Sequence, residues 1–232
     1  MDPFDPYASL KAQSNDAVLH YFDTLEAAVE HSDAPLETAI KQAAAGNIID
    51  FGAKEHGSID IAREIREIPS LNFSFYDYEK LLFKMRNAGM VLYIGDNAGE
   101  IVFDRILIRR IKREFPGLRI VFAARDKPII NDITVDDAYR IGLDKEAEIV
   151  SSGCRYPGLM LEETDDAFRR LFRDADLIIA KGQGNYEGLS DINDERLFFI
   201  LRIKCERVAN HIGAAVGALV LWRKKHFPLF DA

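Results

Sequence analysis

Three short apolar stretches of the sequence are each followed by side chains that can bind a metal ion or a phosphate group. Asp96 and Asn97 come directly after residues 90–94. Asp132 lies in the loop after a second stretch, and Lys181 ends a third. Carboxylate and amide oxygens are the ligands that Mg²⁺ and Mn²⁺ prefer. The residue types therefore predict a divalent metal ion held by Asp96, Asn97 and Asp132. Lys181 is predicted to face a phosphoryl group bound to that metal ion.

Each of these assignments has a structural alternative that the pattern leaves open. Asp and Asn after a strand commonly cap helices or form turns, which applies to Asp96 and Asn97. Asp132 precedes a helical segment and fits a cap, and Lys181 fits a solvated lysine at a strand end. Glu100 and Asp104, one helical turn apart, are typical of carboxylates that the helix dipole favours near a helix start, and either could instead support the metal ligands. The pattern also leaves open whether the metal ion activates a water molecule or Asp96 itself attacks.

Further polar residues and glycines are predicted to shape a substrate pocket. Gly182 and Gly184 follow Lys181 and would let backbone N–H groups approach a phosphate, or they merely turn the chain. Asn185 belongs to the same stretch. Asn47 and Asp50 lie in an otherwise apolar helical region and are predicted to read substrate hydroxyl groups, with helix capping as the alternative.

The elements that position these residues follow from two periodicities. Residues 1–89 show helical spacing and no β-alternation, which predicts a helical N-terminal lobe. Residues 90–232 alternate short apolar runs with helical segments and are predicted to form an α/β core that holds the metal site. The predicted strands are 91–94, 119–123, 148–151, 177–180, 198–203 and 218–222, and the predicted helices are 100–115, 135–143, 159–173 and 205–212. This alternation is typical of a mostly parallel sheet in an α/β/α sandwich. Because ligands bind beyond the carboxyl ends of such strands, the polar sets are expected to share one crevice.

Size, charge and cysteine content limit the classes of protein. At 232 residues, nearly half of them apolar, the chain can bury a large core. The formal charge of -8 argues against a partner that is a nucleic acid or an anionic membrane. Cys154 and Cys205 are predicted to be reduced, buried thiols. No signal peptide and no apolar run of about 18 residues is present, so the cytoplasm is the predicted compartment. The oligomeric state has no signature in the sequence.

Longer blocks of the sequence resemble those of one known family. The blocks are Gly-Asp-Asn-Ala-Gly-Glu-Ile-Val-Phe-Asp at 95–104, Pro-Ile-Ile-Asn-Asp at 128–132 and Lys-Gly-Gln-Gly-Asn-Tyr-Glu-Gly-Leu at 181–189. Asp5-Pro6-Tyr7, Lys11 with Ser14-Asn15, 46–52 and Lys204-Cys205 are similar to blocks of its short prokaryotic branch. On these blocks the chain resembles the metal-dependent damage-control phosphatases, formerly a domain of unknown function numbered 89. Many prokaryotic relatives carry a Cys-x-x-Cys segment ahead of Asp-Pro-Tyr, and its role is expected to be absent here.

The resemblance implies a metal-dependent phosphatase acting on small phosphorylated metabolites, such as surplus or damaged sugar phosphates. It implies that Asp96, Asn97 and Asp132 hold Mn²⁺, Co²⁺, Ni²⁺ or Mg²⁺ and that Lys181 binds the phosphate. Two other functions stay open. One is a carboxyl methyltransferase that uses S-adenosylmethionine, with Asp126 as the available ribose ligand. The other is a phosphometabolite-binding protein without catalytic activity.

Overall fold

A seven-stranded mixed sheet lies at the centre of the protein, in a computed structural model that describes residues 5–46 and 61–223. The strands are β1 (Phe73–Tyr76), β2 (Met90–Ile94), β3 (Arg119–Ala124), β4 (Glu148–Ser151), β5 (Leu177–Lys181), β6 (Leu197–Arg202) and β7 (Leu219–Arg223). Their order across the sheet is β1-β7-β6-β5-β2-β3-β4. The β6–β7 pair is antiparallel and the other five pairs are parallel. The mostly parallel sheet that the sequence predicts is therefore confirmed.

Helices cover both faces of the sheet. They are α1 (Ala8–Leu19), α2 (Phe22–Glu30), α3 (Pro35–Ala45), α4 (Ile61–Glu67), α5 (Tyr78–Asn87), α6 (Glu100–Glu114), α7 (Val135–Arg140), α8 (Asp166–Asp174), α9 (Gly182–Leu189) and α10 (Glu206–Ile212). One face packs against α1–α7 and the other against α8–α10. None of the described helices is long and apolar enough to cross a lipid bilayer.

Alternation along the buried strands fills the two layers of core. In β2, Val91 and Tyr93 pack into one hydrophobic cluster, and Leu92 and Ile94 pack into the other. Because successive side chains of a strand point to opposite faces, a central strand must be apolar throughout. This requirement explains the continuous apolar runs in the sequence and confirms the α/β/α sandwich.

The N-terminal region differs from the prediction in one element. The sequence predicts no strand before residue 90, which is wrong, because β1 pairs in parallel with β7 at the edge of the sheet. Its side chains alternate between half-buried and exposed positions, so four residues give too short a pattern to recognise. The helices α1–α3 share one hydrophobic cluster with the sheet. The division of the chain at residue 89 stays a prediction.

Two other segments begin or end differently from their predictions. The predicted helix 159–173 is a short 3₁₀ turn at Leu161–Glu163 followed by α8, which starts at Asp166. Residues 182–189 are not among the predicted helices, and they form α9. Cys154 is buried as predicted, whereas Cys205 is only half-buried, which corrects its predicted burial.

Candidate metal and phosphate site

The turn between β2 and α6 carries Asp96 and Asn97 at the carboxyl edge of the sheet. Its first residue must be a glycine, because a Cβ atom on Gly95 would lie 2.4 Å from Phe122 Cζ. The turn ends at Gly99, which has a φ of 80° and is the N-cap residue of α6. The N-cap position is thus held by a glycine and not by Asp96 or Asn97. The capping alternative for Asp96 and Asn97 is therefore wrong.

The loop after β3 is held against this turn by backbone hydrogen bonds. Ile133 N donates to Asp96 O at 2.9 Å, and Asn97 forms an isolated antiparallel bridge with Asp132. Thr134, not Asp132, caps α7, and it does so in a capping box with Asp137. The capping alternative for Asp132 is also wrong. The backbone thus brings Asp96, Asn97 and Asp132 together from two separate strand ends.

The two carboxylates of this group are buried and electrostatically unfavourable to one another. Asp96 is 5% exposed and Asp132 is 6% exposed. Burial raises the pKa of Asp96 well above its usual value, and the negative charges of Glu100 and Asp132 raise it further. Burial also raises the pKa of Asp132, although Arg125 opposes the shift. A bound cation would favour the ionised form of both carboxylates.

The donor set fits a hard divalent cation with an incomplete protein shell. Asn97 Nδ2 donates to Asp96 Oδ2 at 2.7 Å, which leaves the amide oxygen of Asn97 as its available ligand atom. Within the described ranges, no group of three or more His, Cys, Asp or Glu side chains is placed to hold a metal ion. Two carboxylates and one amide leave several positions for water and substrate, as Mg²⁺ sites commonly do. Metal binding by these residues stays a prediction.

Arg125, at the end of β3, is a site residue that sequence reasoning missed. Its side chain is 1% exposed, with Nε donating to Asp132 Oδ2 at 2.8 Å and Nη2 to Asn185 Oδ1 at 2.8 Å. Asn185 Nδ2 in turn donates to Gly95 O and to Lys181 O. Asn185 therefore joins the ends of β2 and β5, and Arg125 extends that connection to β3.

Lys181 is fully buried in a network of charges. Its Nζ donates to Glu100 Oε1 at 2.6 Å and to Asp104 Oδ1 at 2.7 Å. Tyr93 Oη donates to the same oxygen of Asp104. Burial lowers the pKa of Lys181, but the charges of Asp104 and Glu100 outweigh burial and leave that pKa raised. The solvated-lysine alternative is wrong, and contact between Lys181 and a phosphate stays a prediction.

Carboxylates on α6 therefore have a larger role than their positions in the sequence indicate. The sequence associates Glu100 with the dipole of the helix, whereas the structure buries Glu100 and Asp104 against Lys181. Glu100 Oε2 and Asp104 Oδ2 are buried and have no hydrogen-bond partner in the described part of the chain. Their spacing of one helical turn was the only signal of a shared partner.

Gly182 permits a close approach to Asp96. It has a φ of 75°, and a Cβ atom at this position would lie 1.8 Å from Asp96 Oδ2. Gly184 packs in a similar way against Gly158, whose backbone N–H donates to the Asp132 carboxylate. The two glycines lie beside the carboxylates, and their approach to a phosphate stays a prediction. Asn47 and Asp50 fall outside the described residues.

The fold and the placement of these residues define an α/β protein with a carboxylate-lined site at the carboxyl edge of a mostly parallel sheet. The family model of the damage-control phosphatase ARMT1-like domain matches residues 1–220. The chain belongs to this family, which confirms the resemblance found in the sequence.

Individual relatives agree with this assignment. The chain is 38% identical over 221 residues to a damage-control phosphatase of Pyrococcus horikoshii, covering 95% of this chain and 75% of the relative. It is 38% identical over 223 residues to a damage-control phosphatase of Archaeoglobus fulgidus, covering 93% and 75%. The crystal structure of a DUF89 family protein from Pyrococcus horikoshii superposes with a TM-score of 0.85, at 38% identity, over 95% of this chain and 76% of that one.

Proposed function

We propose that the protein is a metal-dependent phosphatase that hydrolyses phosphate monoesters of small metabolites, sugar phosphates among them. The observation that carries the proposal is the convergence of Asp96 and Asp132, two buried carboxylates whose charges disfavour one another. Membership of the damage-control phosphatase family supports the reaction class. The metal dependence, the choice of metal and the substrate belong to the proposal.

Asp96, Asn97 and Asp132 would hold Mn²⁺, Co²⁺, Ni²⁺ or Mg²⁺ through oxygen atoms. When bound, such a cation neutralises charge that develops on the phosphoryl oxygens. Arg125 fixes the Asp132 carboxylate through its Nε, and Gly182 leaves the space that the Asp96 carboxylate occupies. The burial of both carboxylates excludes bulk water and strengthens their interaction with a cation.

Lys181 would contribute positive charge on the β5 side of the site. Its ammonium compensates Glu100 and Asp104, and these two carboxylates hold it in one position. In the proposal this charge would attract a phosphoryl group bound to the metal ion. The backbone N–H groups at the start of α9 supply further donors, because the first N–H groups of a helix have no intrahelical partner.

The decisive experiment measures release of inorganic phosphate from p-nitrophenyl phosphate with Mn²⁺ or Co²⁺. We expect turnover that chelation abolishes and that metal restores, and we expect Asp96→Ala to remove it. Asp144→Ala is the matched control, because Asp144 is exposed on the opposite edge of the sheet. Activity that survives both chelation and Asp96→Ala would refute the proposal.

The same preparation separates the two other functions that the sequence leaves open. A methyltransferase would bind S-adenosylmethionine in calorimetry and release no phosphate. A binding protein without activity would bind phosphate esters tightly and turn over none of a panel of sugar phosphates, cofactor phosphates and nucleoside monophosphates. Phosphate release that depends on the metal ion and on Asp96 would show that the protein is neither solely a methyltransferase nor a binding protein without activity.

A further inference from the structure

The turn that precedes Asp132 contains a backbone conformation that its residue disfavours. Ile130 has a φ of 46° and is the one non-glycine residue with a positive φ in the ranges 5–46 and 61–223. Asp132 N donates to Ile129 O at 2.9 Å, which closes a four-residue turn with Ile130 in its second position. A positive φ at that position is typical of type II′ turns, where glycine is strongly preferred. A β-branched residue there is strained.

Hydrogen bonds of neighbouring residues hold the loop that contains Ile130. Ala98 N donates to Asn131 O at 2.9 Å, and Ile133 N donates to Asp96 O at the same distance. Both bonds attach the loop to the Asp96 turn, and both flank Asp132. The turn therefore positions the Asp132 carboxylate, and its backbone strain lies at Ile130.

The side chain of Ile130 contributes little to the stability of the fold, because it is only partly buried. It is 50% exposed, whereas the neighbouring Ile133 is fully buried. A glycine or asparagine at position 130 would relieve the backbone strain at the cost of a half-exposed apolar group. Within the described chain, the fold by itself does not account for isoleucine at this position.

A second loop lies next to the same carboxylate and carries an exposed aromatic side chain. Gly158 N donates to Asp132, and Arg155 pairs with Asp126 at 3.4 Å, so the loop 153–160 lies against the loop after β3. Tyr156 is 47% exposed on this second loop. In the sequence, Ile130 is two residues from Asp132, and Tyr156 is two residues from Gly158. Two residues of extended chain span at most about 7 Å.

We infer that Ile130, with Tyr156 on the neighbouring loop, contacts the organic part of the substrate and makes the site favour, among phosphate monoesters, those with an apolar or aromatic group near the phosphate. The inference rests on the proposed phosphatase function and adds a substrate class to it. An apolar contact lowers KM for such esters and has no effect on the phosphate group itself. The strain at Ile130 is retained because the ligand, and not the fold, uses the side chain.

The test compares wild type with Ile130→Asn and Ile130→Gly, because asparagine and glycine both tolerate a positive φ. Val216→Gly is the matched control: Val216 is β-branched and 44% exposed, has no positive φ, and precedes β7, three strand positions from β2. For Ile130→Asn we expect Tm to rise by about 2–4 °C from relief of strain. We expect kcat/KM for phenyl phosphate to fall by about 5- to 30-fold through KM. Values for glycerol 3-phosphate and the inhibition constant of inorganic phosphate should change by less than about twofold.

Two results would overturn the inference. A fall in Tm for both Ile130 variants that exceeds the fall for Val216→Gly would show that the fold uses the side chain. A rise in Tm with an unchanged ratio of kcat/KM for phenyl phosphate to kcat/KM for glycerol 3-phosphate would show that the side chain has no contact with substrate.

A binding measurement separates failure of this inference from failure of the proposed function. With Mn²⁺ present, wild type should bind phenylphosphonate more tightly than methylphosphonate, and Ile130→Asn should lose that preference. Neither probe is an ester, so the preference is measurable without turnover. If no ester is hydrolysed but the preference depends on Ile130, the phosphatase proposal fails and the apolar contact stands. If wild type shows no preference, the apolar contact is refuted whether or not phosphate is released.

Discussion

At the scale of single residues, the site depends on close contacts that only particular side chains allow. Gly182 leaves room for the Asp96 carboxylate, and Arg125 holds the Asp132 carboxylate through a charged hydrogen bond. The local sequence indicates neither role: it indicates only a turn glycine at position 182 and a basic residue at a strand end at position 125. Each role predicts a specific defect when the residue is changed.

Replacing Gly182 by alanine is expected to displace the Asp96 carboxylate. The Cβ atom would lie 1.8 Å from Asp96 Oδ2, so the carboxylate or the start of α9 must move. Because misplacement by about 1 Å can cost about 100-fold in rate, kcat should fall by about that factor. Gly213→Ala is the control: Gly213 has a φ of 82° but a Cβ atom there would meet nothing within 4 Å. The positive φ should cost both variants about 1–2 kcal/mol of stability, and the clash should cost Gly182→Ala more. Equal activities would contradict the prediction.

Arg125→Lys is expected to weaken metal binding while keeping the positive charge. A lysine cannot bridge Asp132 and Asn185 with the fork geometry of a guanidinium. Loss of a residue that orients a metal ligand typically costs 10- to 100-fold in metal affinity. The Mn²⁺ concentration for half-maximal activity should therefore rise by about 10-fold or more. Arg119→Lys, at the first residue of β3 in an exposed pair with Glu148, is the control. A similar rise for both variants would refute a specific role for Arg125.

At the scale of elements, β2 is the strand around which the site is assembled. It lies between β3 and β5, so its carboxyl end meets the loop of Asp132 on one side and the start of α9 on the other. The apolar runs predict β2 to β7 because buried parallel strands are apolar on both faces. Because the carboxyl ends of neighbouring parallel strands meet at one edge of the sheet, the sequence then predicts that Asp96 and Asp132 converge. Arg125 was missed, and Asp104 was recognised only as a carboxylate near the start of a helix, because burial of a charge depends on which strands are neighbours.

The buried network of Lys181 connects three of these elements. Lys181 on β5 contacts Glu100 and Asp104 on α6, and Tyr93 on β2 donates to Asp104. Lys181→Met should reduce the free energy of unfolding by about 3–5 kcal/mol, because it leaves two carboxylates buried without their counter-charge. Urea unfolding measures this loss, and Lys145→Met, at an exposed position, should change it by less than about 0.5 kcal/mol. A Lys181→Met variant that keeps full stability but loses activity would instead show that the Lys181 ammonium acts only on the substrate and does not stabilise the fold.

At the scale of the whole molecule, the N-terminal helices support the loops that form the site. Asn15 on α1 accepts a hydrogen bond from Gly99 N at 2.7 Å, and Lys11 on the same helix pairs with Asp137 at 2.7 Å. Asp137 belongs to the capping box of α7, which follows the Asp132 loop. The helix α1 thus contacts both the turn that carries Asp96 and the helix that follows the Asp132 loop. Sequence periodicity identifies α1 as a helix but gives no indication of this contact, because periodicity reports the buried apolar face and not the polar partners.

The whole molecule should therefore gain stability when the site is filled. A ligand that binds only the folded state at about 100 times its Kd adds about 2.7 kcal/mol, and a chain of this size gains about 2–4 °C in Tm per kcal/mol. Mn²⁺ at that concentration should raise Tm by roughly 5–11 °C, and Asp96→Ala should abolish the rise. Asp144→Ala, which removes an exposed carboxylate, should keep it. Differential scanning calorimetry with and without chelator measures the shift independently of turnover. An equal rise in wild type and Asp96→Ala would place the cation elsewhere on this acidic chain and refute the assigned ligands.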